Sequence, residues 1–169
     1  MAPLPATIVG KSVAVSQLRG ITREEFALSH PGGALGRRLL LKVRDVMHRG
    51  AEVPLVREEE TLSAAILEIV RKRLGMTAVV NDAGRLTGII TDGDLKRILV
   101  RHRNAMDLPV RDLMTREPRT IGGDVPLERA LLRMEENAER LITSLLIVNS
   151  AGEPEGVIHM HDILRAGVG

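Results

Sequence analysis

Val43-Arg44-Asp45-Val46-Met47 returns 67 residues later as Val110-Arg111-Asp112-Leu113-Met114, and Gly88-Ile89-Ile90 with Asp94 returns 68 residues later as Gly156-Val157-Ile158 with Asp162. Such a repeat decides the fold before any single element does. Each copy must be one supersecondary unit, and it needs its neighbour to cover the apolar face it cannot bury alone. Between these anchors Arg73-Leu74 answers to Arg140-Leu141, and Asn81 with Gly84 answers to Asn149 with Gly152.

Both copies show the same coarse order. In the first, an extended piece, Val53 to Val56, precedes a helix whose apolar positions Leu62, Ala65, Ile66, Ile69 and Val70 fall on one predicted stripe. Thr77 to Val80 and Leu86 to Thr91 read as strands joined by the turn residues Asn81-Asp82-Ala83-Gly84, hence a hairpin. A second helix starts at Asp92 and is expected to turn Leu95, Ile98 and Leu99 inward. The second copy has a helix from Pro126, strands Ser144 to Val148 and Gly156 to His159, and a last helix ending near Gly167. A β-α-β-β-α unit of this size cannot cover both faces of a three-stranded sheet, so the two copies are expected to pack together.

Ahead of the repeats, residues 1–20 read as an irregular lead-in with two prolines. Thr22 and Glu25 have capping-box spacing for a short helix carrying Phe26 and Leu28, which Pro31-Gly32-Gly33 stops. Gly36 to Lys42 reads as a linker, with Arg37 and Arg38 on a solvated face.

Composition narrows the chemistry. The 169 residues are 44% hydrophobic and 27% charged, an ordinary globular balance, but Phe26 is the only aromatic of the Phe, Trp and Tyr set. The core must be aliphatic, and a bound ring would have to lie on aliphatic or Met surfaces, since no stacking platform is available. A formal charge of +2, with basic and acidic residues interleaved, argues against nucleic acid as a partner. The absence of cysteine removes disulfides, thiolate nucleophiles and Cys-based zinc sites. With no secretory n-region and no apolar run of spanning length, the expected address is the cytoplasm, with no membrane partner.

The strings Val43-Arg44-Asp45-Val46-Met47 and Gly88-Ile89-Ile90-Thr91-Asp92-Gly93-Asp94-Leu95 resemble a CBS domain, which ends in Gly, two apolar residues, Thr or Ser, two variable residues and Asp. The first copy fits fully. The second, Gly156-Val157-Ile158-His159-Met160-His161-Asp162-Ile163, has His159 in the Thr position. The fold implied is α/β, a tandem CBS pair or Bateman module of two β-α-β-β-α repeats with pseudo-two-fold symmetry. Residues 43–102 would be repeat 1 and 110–169 repeat 2. A narrower resemblance, carried by Phe26-Ala27-Leu28-Ser29-His30-Pro31-Gly32-Gly33-Ala34-Leu35-Gly36-Arg37, Thr91-Asp92-Gly93-Asp94-Leu95 and His159-Met160-His161-Asp162, is to the arabinose-5-phosphate isomerases of Kdo and lipopolysaccharide synthesis. It implies that residues 21–42 are the end of a sugar-isomerase domain and that His30 holds a catalytic family position. The rest of that domain is absent upstream of residue 20, so this chain alone is expected to be inactive.

Thr91 and Asp94 sit where a strand meets a helix start, so hydroxyl, carboxylate and free backbone N–H groups would converge there. Capping alone would explain Thr91 and Asp92; the family resemblance favours binding, with the Asp accepting ribose hydroxyls and the Thr and helix-end amides reaching a phosphate. His159 and His161 are better donors to an anionic ligand than metal ligands, because only Asp162 joins them locally; no metal is expected. Asp92 and Asp94 lack an accompanying nucleophile or base network, so catalysis by them is not expected. Met76 and Met160 fall where a CBS cleft is lined, and Thr77, Thr143 and Ser144 complete the candidate ligand-binding set. The expected function is a regulatory module that binds a nucleotide or nucleotide sugar, with CMP-Kdo the first candidate. The expected partners are a sugar-isomerase domain and a second copy of the chain, and no cofactor is expected. The alternatives are a fragment of the isomerase itself or a purely structural dimerisation module.

Overall fold

The computed structural model describes residues 40–136 and 142–168. The elements in order are α1 (Val43–Val46), β1 (His48–Arg49), β2 (Leu55–Arg57), α2 (Leu62–Lys72), β3 (Met76–Val80), β4 (Leu86–Thr91) and α3 (Asp92–Arg101), followed by β5 (Thr115–Arg116), β6 (Thr120–Ile121), α4 (Leu127–Glu135), β7 (Ser144–Val148), β8 (Pro154–His159) and α5 (Met160–Arg165). Short 3-10 turns at Gly50–Glu52, Ala105–Asp107 and Val110–Asp112 complete the connections.

Local chemistry accounts for these elements. Thr61 caps α2 by accepting from the Ala64 N–H, and Leu62, Ala65 and Ile69 form its buried stripe. The α2 helix then ends on Arg73 in the left-handed region, with Gly75 also at positive φ. In the hairpin turns, the Asn81 side-chain oxygen accepts from the Ala83 and Arg85 N–H groups at 3.0 Å each, and Asn149 does the same for Ala151 and Glu153 at 2.9 and 3.0 Å. Gly84 and Gly152 take the positive φ that closes each turn.

Two expectations fail at helix edges. Val70 is 66% exposed and Leu99 51% exposed, although both were expected to turn inward. A helix turns about 100° per residue, so each stands roughly that angle round from its buried neighbour, Ile69 or Ile98, and clears the sheet.

The sheets are four-stranded, in orders β1-β8-β7-β6 and β2-β3-β4-β5. In each, the parallel pair is β2 with β3 or β6 with β7, and the hairpin is antiparallel. The fourth strand comes from the other repeat: β1 pairs antiparallel with β8 (His48 opposite Val157, Arg49 opposite Gly156), and β5 pairs with β4 (Ile89 opposite Thr115, Gly88 opposite Arg116). The β3 run is buried on both faces. Val79 joins α2 and α3 residues in one cluster, while Met76 and Ala78 meet Leu146 and Val157 of the opposite sheet in another. Helices therefore cover the outside of each sheet, and the sheets face one another, which is why β3 and β7 read as continuous apolar runs.

The exchanged strands need two glycines. Built onto Gly88, a Cβ would lie 2.4 Å from Met114 Sδ and 3.0 Å from the Thr115 carbonyl oxygen; on Gly156 it would lie 2.6 Å from Met47 Sδ and 3.0 Å from the His48 carbonyl oxygen. The opening Met of each copy thus packs on the closing Gly of the other.

Candidate functional site

An open cleft of about 470 Å³ lies where α3 begins. Repeat 1 lines it with Gly75 and Met76 at the start of β3, Ile89 and Thr91 on β4, and Asp92, Gly93, Asp94 and Arg97 on α3. The second repeat adds Thr115, Glu117, Pro118 and Arg119 after the exchanged strand, and Ile142, Thr143 and Ser144 ahead of and at the start of β7. Residues about 50 positions apart in the chain meet here because β5 pairs with β4 and delivers the segment that follows it.

Asp94 is the structural centre of this side. It is 7% exposed. Its Oδ2 accepts from the Thr91 N–H at 3.0 Å and from the Thr91 hydroxyl at 2.7 Å, and its own N–H donates to Thr91 Oγ1 at 3.1 Å, a reciprocal capping box. Its Oδ1 accepts from the Arg97 guanidinium and from the Thr115 hydroxyl, the latter at 3.1 Å. Burial pushes the Asp94 carboxyl up, but the bonds from Thr91, Arg97 and Thr115 together outweigh it and hold the group below the usual carboxylate range. Both oxygens are thus already engaged. The helix end is also less open than expected, because the Asp92 N–H donates to the Gly75 carbonyl at 3.0 Å.

Of the residues singled out from sequence, Met76, Thr91, Asp92, Asp94, Thr143 and Ser144 surround the cleft. Thr77 does not line it: it is fully buried, with its hydroxyl on the Ala78 carbonyl. The buried Ser144 hydroxyl donates to the Leu74 carbonyl at 2.8 Å and ties the repeats together. His30 lies outside the described residues. His159, Met160, His161 and Asp162 form the corresponding corner of the other repeat, at the end of β8 and the start of α5. Among the described residues, no group of three or more His, Cys, Asp or Glu is placed to hold a metal ion.

Sequence reasoning missed Arg97, Thr115 and Arg119. The first had a signal: Asp94 and Arg97 recur as Asp162 and Arg165 at the same offset of 68. The other two arrive through strand exchange, which one-dimensional periodicity does not encode.

In the second corner His159 replaces Thr91 and also takes over its cap: His159 Nδ1 accepts from the His161 N–H at 3.1 Å. His48, the counterpart of Thr115, places Nε2 2.9 Å from Asp162 Oδ2. Burial lowers the His159 pKa, and the neighbouring His161 and His48 lower it further against the opposing pull of Asp162. A folded value below the ordinary 6.5 means that the unfolded chain binds the proton first. The stability held by neutral His159 is complete above that value and is lost as pH falls through it towards the folded value. Melting followed from pH about 8 to about 5 should show a steeper acid-side fall in wild type than in His159→Thr, which keeps a capping oxygen and cannot be protonated. Parallel curves would refute this role.

Among the described residues no helix is long and apolar enough to cross a membrane. Residues 43–101 and 110–169 each match the CBS domain family. Over 174 aligned residues the chain is 44% identical to arabinose 5-phosphate isomerase KdsD of Pseudomonas aeruginosa, covering 99% of this chain and 52% of that protein, its C-terminal part. The chain thus spans about half the length of the curated relatives it matches. Among solved structures, CBSX2 in complex with AMP aligns with a TM-score of 0.64 at 23% identity, covering 75% of this chain and 95% of that one. The CBS domain pair of MJ0100 in complex with 5'-methylthioadenosine and S-adenosyl-L-methionine aligns at 0.64 and 20%, covering 75% and 94%. At those identities the likeness is one of fold. With the repeat, the exchanged strands and both family matches in agreement, the chain belongs to the CBS domain family, as a tandem pair.

Proposed function

We propose that this CBS pair senses a nucleotide or nucleotide sugar, bound in the cleft beside Asp94, and regulates or helps to oligomerise a sugar-phosphate isomerase domain of the arabinose 5-phosphate isomerase type in the cytoplasm. The observation that carries the reading is the open cleft of about 470 Å³, within the range of small-molecule sites. Its lining is divided usefully. Ile89, Pro118 and Ile142 offer aliphatic surface for a base above the buried Met76, and the Arg97 and Arg119 guanidinium groups offer charge-assisted donors for phosphate or carboxylate. Thr91 and Thr143 add hydroxyls. This chemistry suits binding and leaves acid–base turnover unprovided. The AMP and adenosine-type ligands of the two solved relatives support a nucleotide by analogy of fold. CMP-Kdo ranks first among nucleotide sugars because the resemblance ties the chain to Kdo synthesis, where an end product would be an economical feedback signal.

Melting of the chain with CMP-Kdo, CMP, AMP and ATP tests the reading. A ligand specific for the folded state adds about 2.7 kcal/mol at one hundred times its dissociation constant, enough to raise the midpoint by several degrees. Arg119→Glu places an acid at the cleft edge, giving up only an exposed ion pair with Glu136 and no buried contact, and should weaken the best ligand by about one to two decades. No shift with any of the four at millimolar concentration would defeat the proposal, and an Arg119→Glu protein that binds equally well would remove Arg119 from the site.

A further inference from the structure

The repeat offset maps one corner of the module onto the other, and the two are not equivalent. On the Asp94 side Ile89 and Ile142 are partly exposed and Arg119 is exposed. Met76 stands opposite Thr91 as Ser144 does opposite His159, so strand register aligns Leu74 with Ile142, one residue on from the Arg140-Leu141 match of the sequence. The counterparts on the Asp162 side are Val157, Leu74 and Pro54, all buried. Leu74 and Val157 belong to the apolar cluster that also contains Val53, Met76, Ala78 and Leu146. Strand register fixes the Arg119–Pro54 correspondence, since Leu55 pairs with Ala78 and Thr120 pairs with Leu146. The polar residues differ in the same sense: where the Thr115 hydroxyl meets Asp94, the larger His48 ring meets Asp162.

We infer that the module offers one open ligand site per chain, on the Asp94 side, and that the pseudo-equivalent Asp162 side is filled by the chain's own side chains. Opening the second side would require withdrawing Leu74, Val53 and Val157 from the contact between the two sheets, where each is at most 6% exposed. Burying these apolar side chains stabilises the fold, and a ligand would have to replace that burial. Arg119, exposed and with its guanidinium 3.8 Å from Glu136 Oε2, needs no such displacement. The inference deepens the sensing proposal by setting its stoichiometry: one anionic nucleotide per chain, read through the residues around Arg97 and Arg119, with the Asp162 side a fixed joint between repeats.

The chain has no cysteine, so single thiols report each side separately. Ile142→Cys and Leu74→Cys occupy corresponding positions. In the full chain under native conditions, Ile142→Cys should react with a small maleimide about tenfold faster or more than Leu74→Cys, because a buried thiol waits for local opening. Equal rates in folded protein would overturn the inference, whether or not any nucleotide binds. If Leu74→Cys loosens the fold, the pair Ile89→Cys and Val157→Cys gives the same comparison at β4 and β8. AMP is the probe for the ligand arm: it should protect Ile142→Cys alone and saturate at one per chain by native mass spectrometry. A second AMP of comparable affinity, or protection on the Asp162 side, would also overturn the inference. Unequal thiol rates with no binding by any of the four nucleotides would uphold the single open side and defeat the sensing proposal.

Discussion

Gly88→Val should destabilise the protein by about 3 kcal/mol, the upper part of the range for overpacking a close contact. The methionine that would meet the new Cβ can turn aside, but the Thr115 carbonyl, 3.0 Å from that Cβ position, belongs to the exchanged strand and can give by a few tenths of an ångström only by straining the pairing of β5 with β4. Gly156→Val should act alike through the His48 carbonyl and β1. Urea unfolding gives the test, and a double mutant separates the causes. Combined with Met114→Ala, the Gly88→Val penalty should shrink by about 1 kcal/mol, a coupling typical of residues in contact, while the share due to the carbonyl persists. A Gly88→Val loss below about 0.5 kcal/mol, the scale of an ordinary surface change, would contradict the tight approach of the strands.

Asp94→Ala should cost a comparable amount, about 2–4 kcal/mol, since it removes the carboxylate half of the capping box and leaves the Thr91 N–H, the Thr115 hydroxyl and the Arg97 guanidinium without their shared acceptor. Asp162→Ala should cost less, about 1 kcal/mol, because Asp162 bonds His48 closely but stands 3.9 Å from Arg165. The acid limb carries the same signature. Asp94 is held below its ordinary 3.8 when folded, so its contribution is whole above that value and is lost as pH falls through the lower folded value. Wild type should therefore lose stability over that window relative to Asp94→Ala. Equal losses for the two alanine variants, or parallel acid limbs, would refute the bonding described for Asp94. The same result bears on ligand studies, since weaker binding by Asp94→Ala follows from a loosened α3 as well as from a lost ribose acceptor. Arg119→Glu is the cleaner probe of the cleft.

The amino-acid sequence by itself determined the repeat, the order of elements within each copy and the chemistry at their joints. The Asn81 side chain bonds the backbone two and four residues on, Gly84 supplies a positive φ, and Thr91 caps α3 through Asp94 three positions on; such interactions span a few residues and leave a local pattern. The strand-to-helix corners at Asp94 and Asp162 were legible for that reason, and the 68-residue offset made them a pair. Helix edges were less so: Val70 and Leu99 are apolar and close to the right spacing, and only the angle at which each helix meets its sheet decides which side of the stripe is buried. The tertiary structure alone decided which residues oppose each other across the repeats. Exchange of β1 and β5 puts Met47 on Gly156 and Met114 on Gly88, brings Thr115 and His48 to the two aspartates, and carries Arg119 to the cleft. It also made the two corners unequal, because whether a pseudo-symmetric space stays open depends on the summed volume of side chains converging from both sheets. Leu74, Val53 and Val157 fill one space and Ile142, Pro118 and Ile89 leave the other open, a difference of packing that each segment's own pattern does not carry.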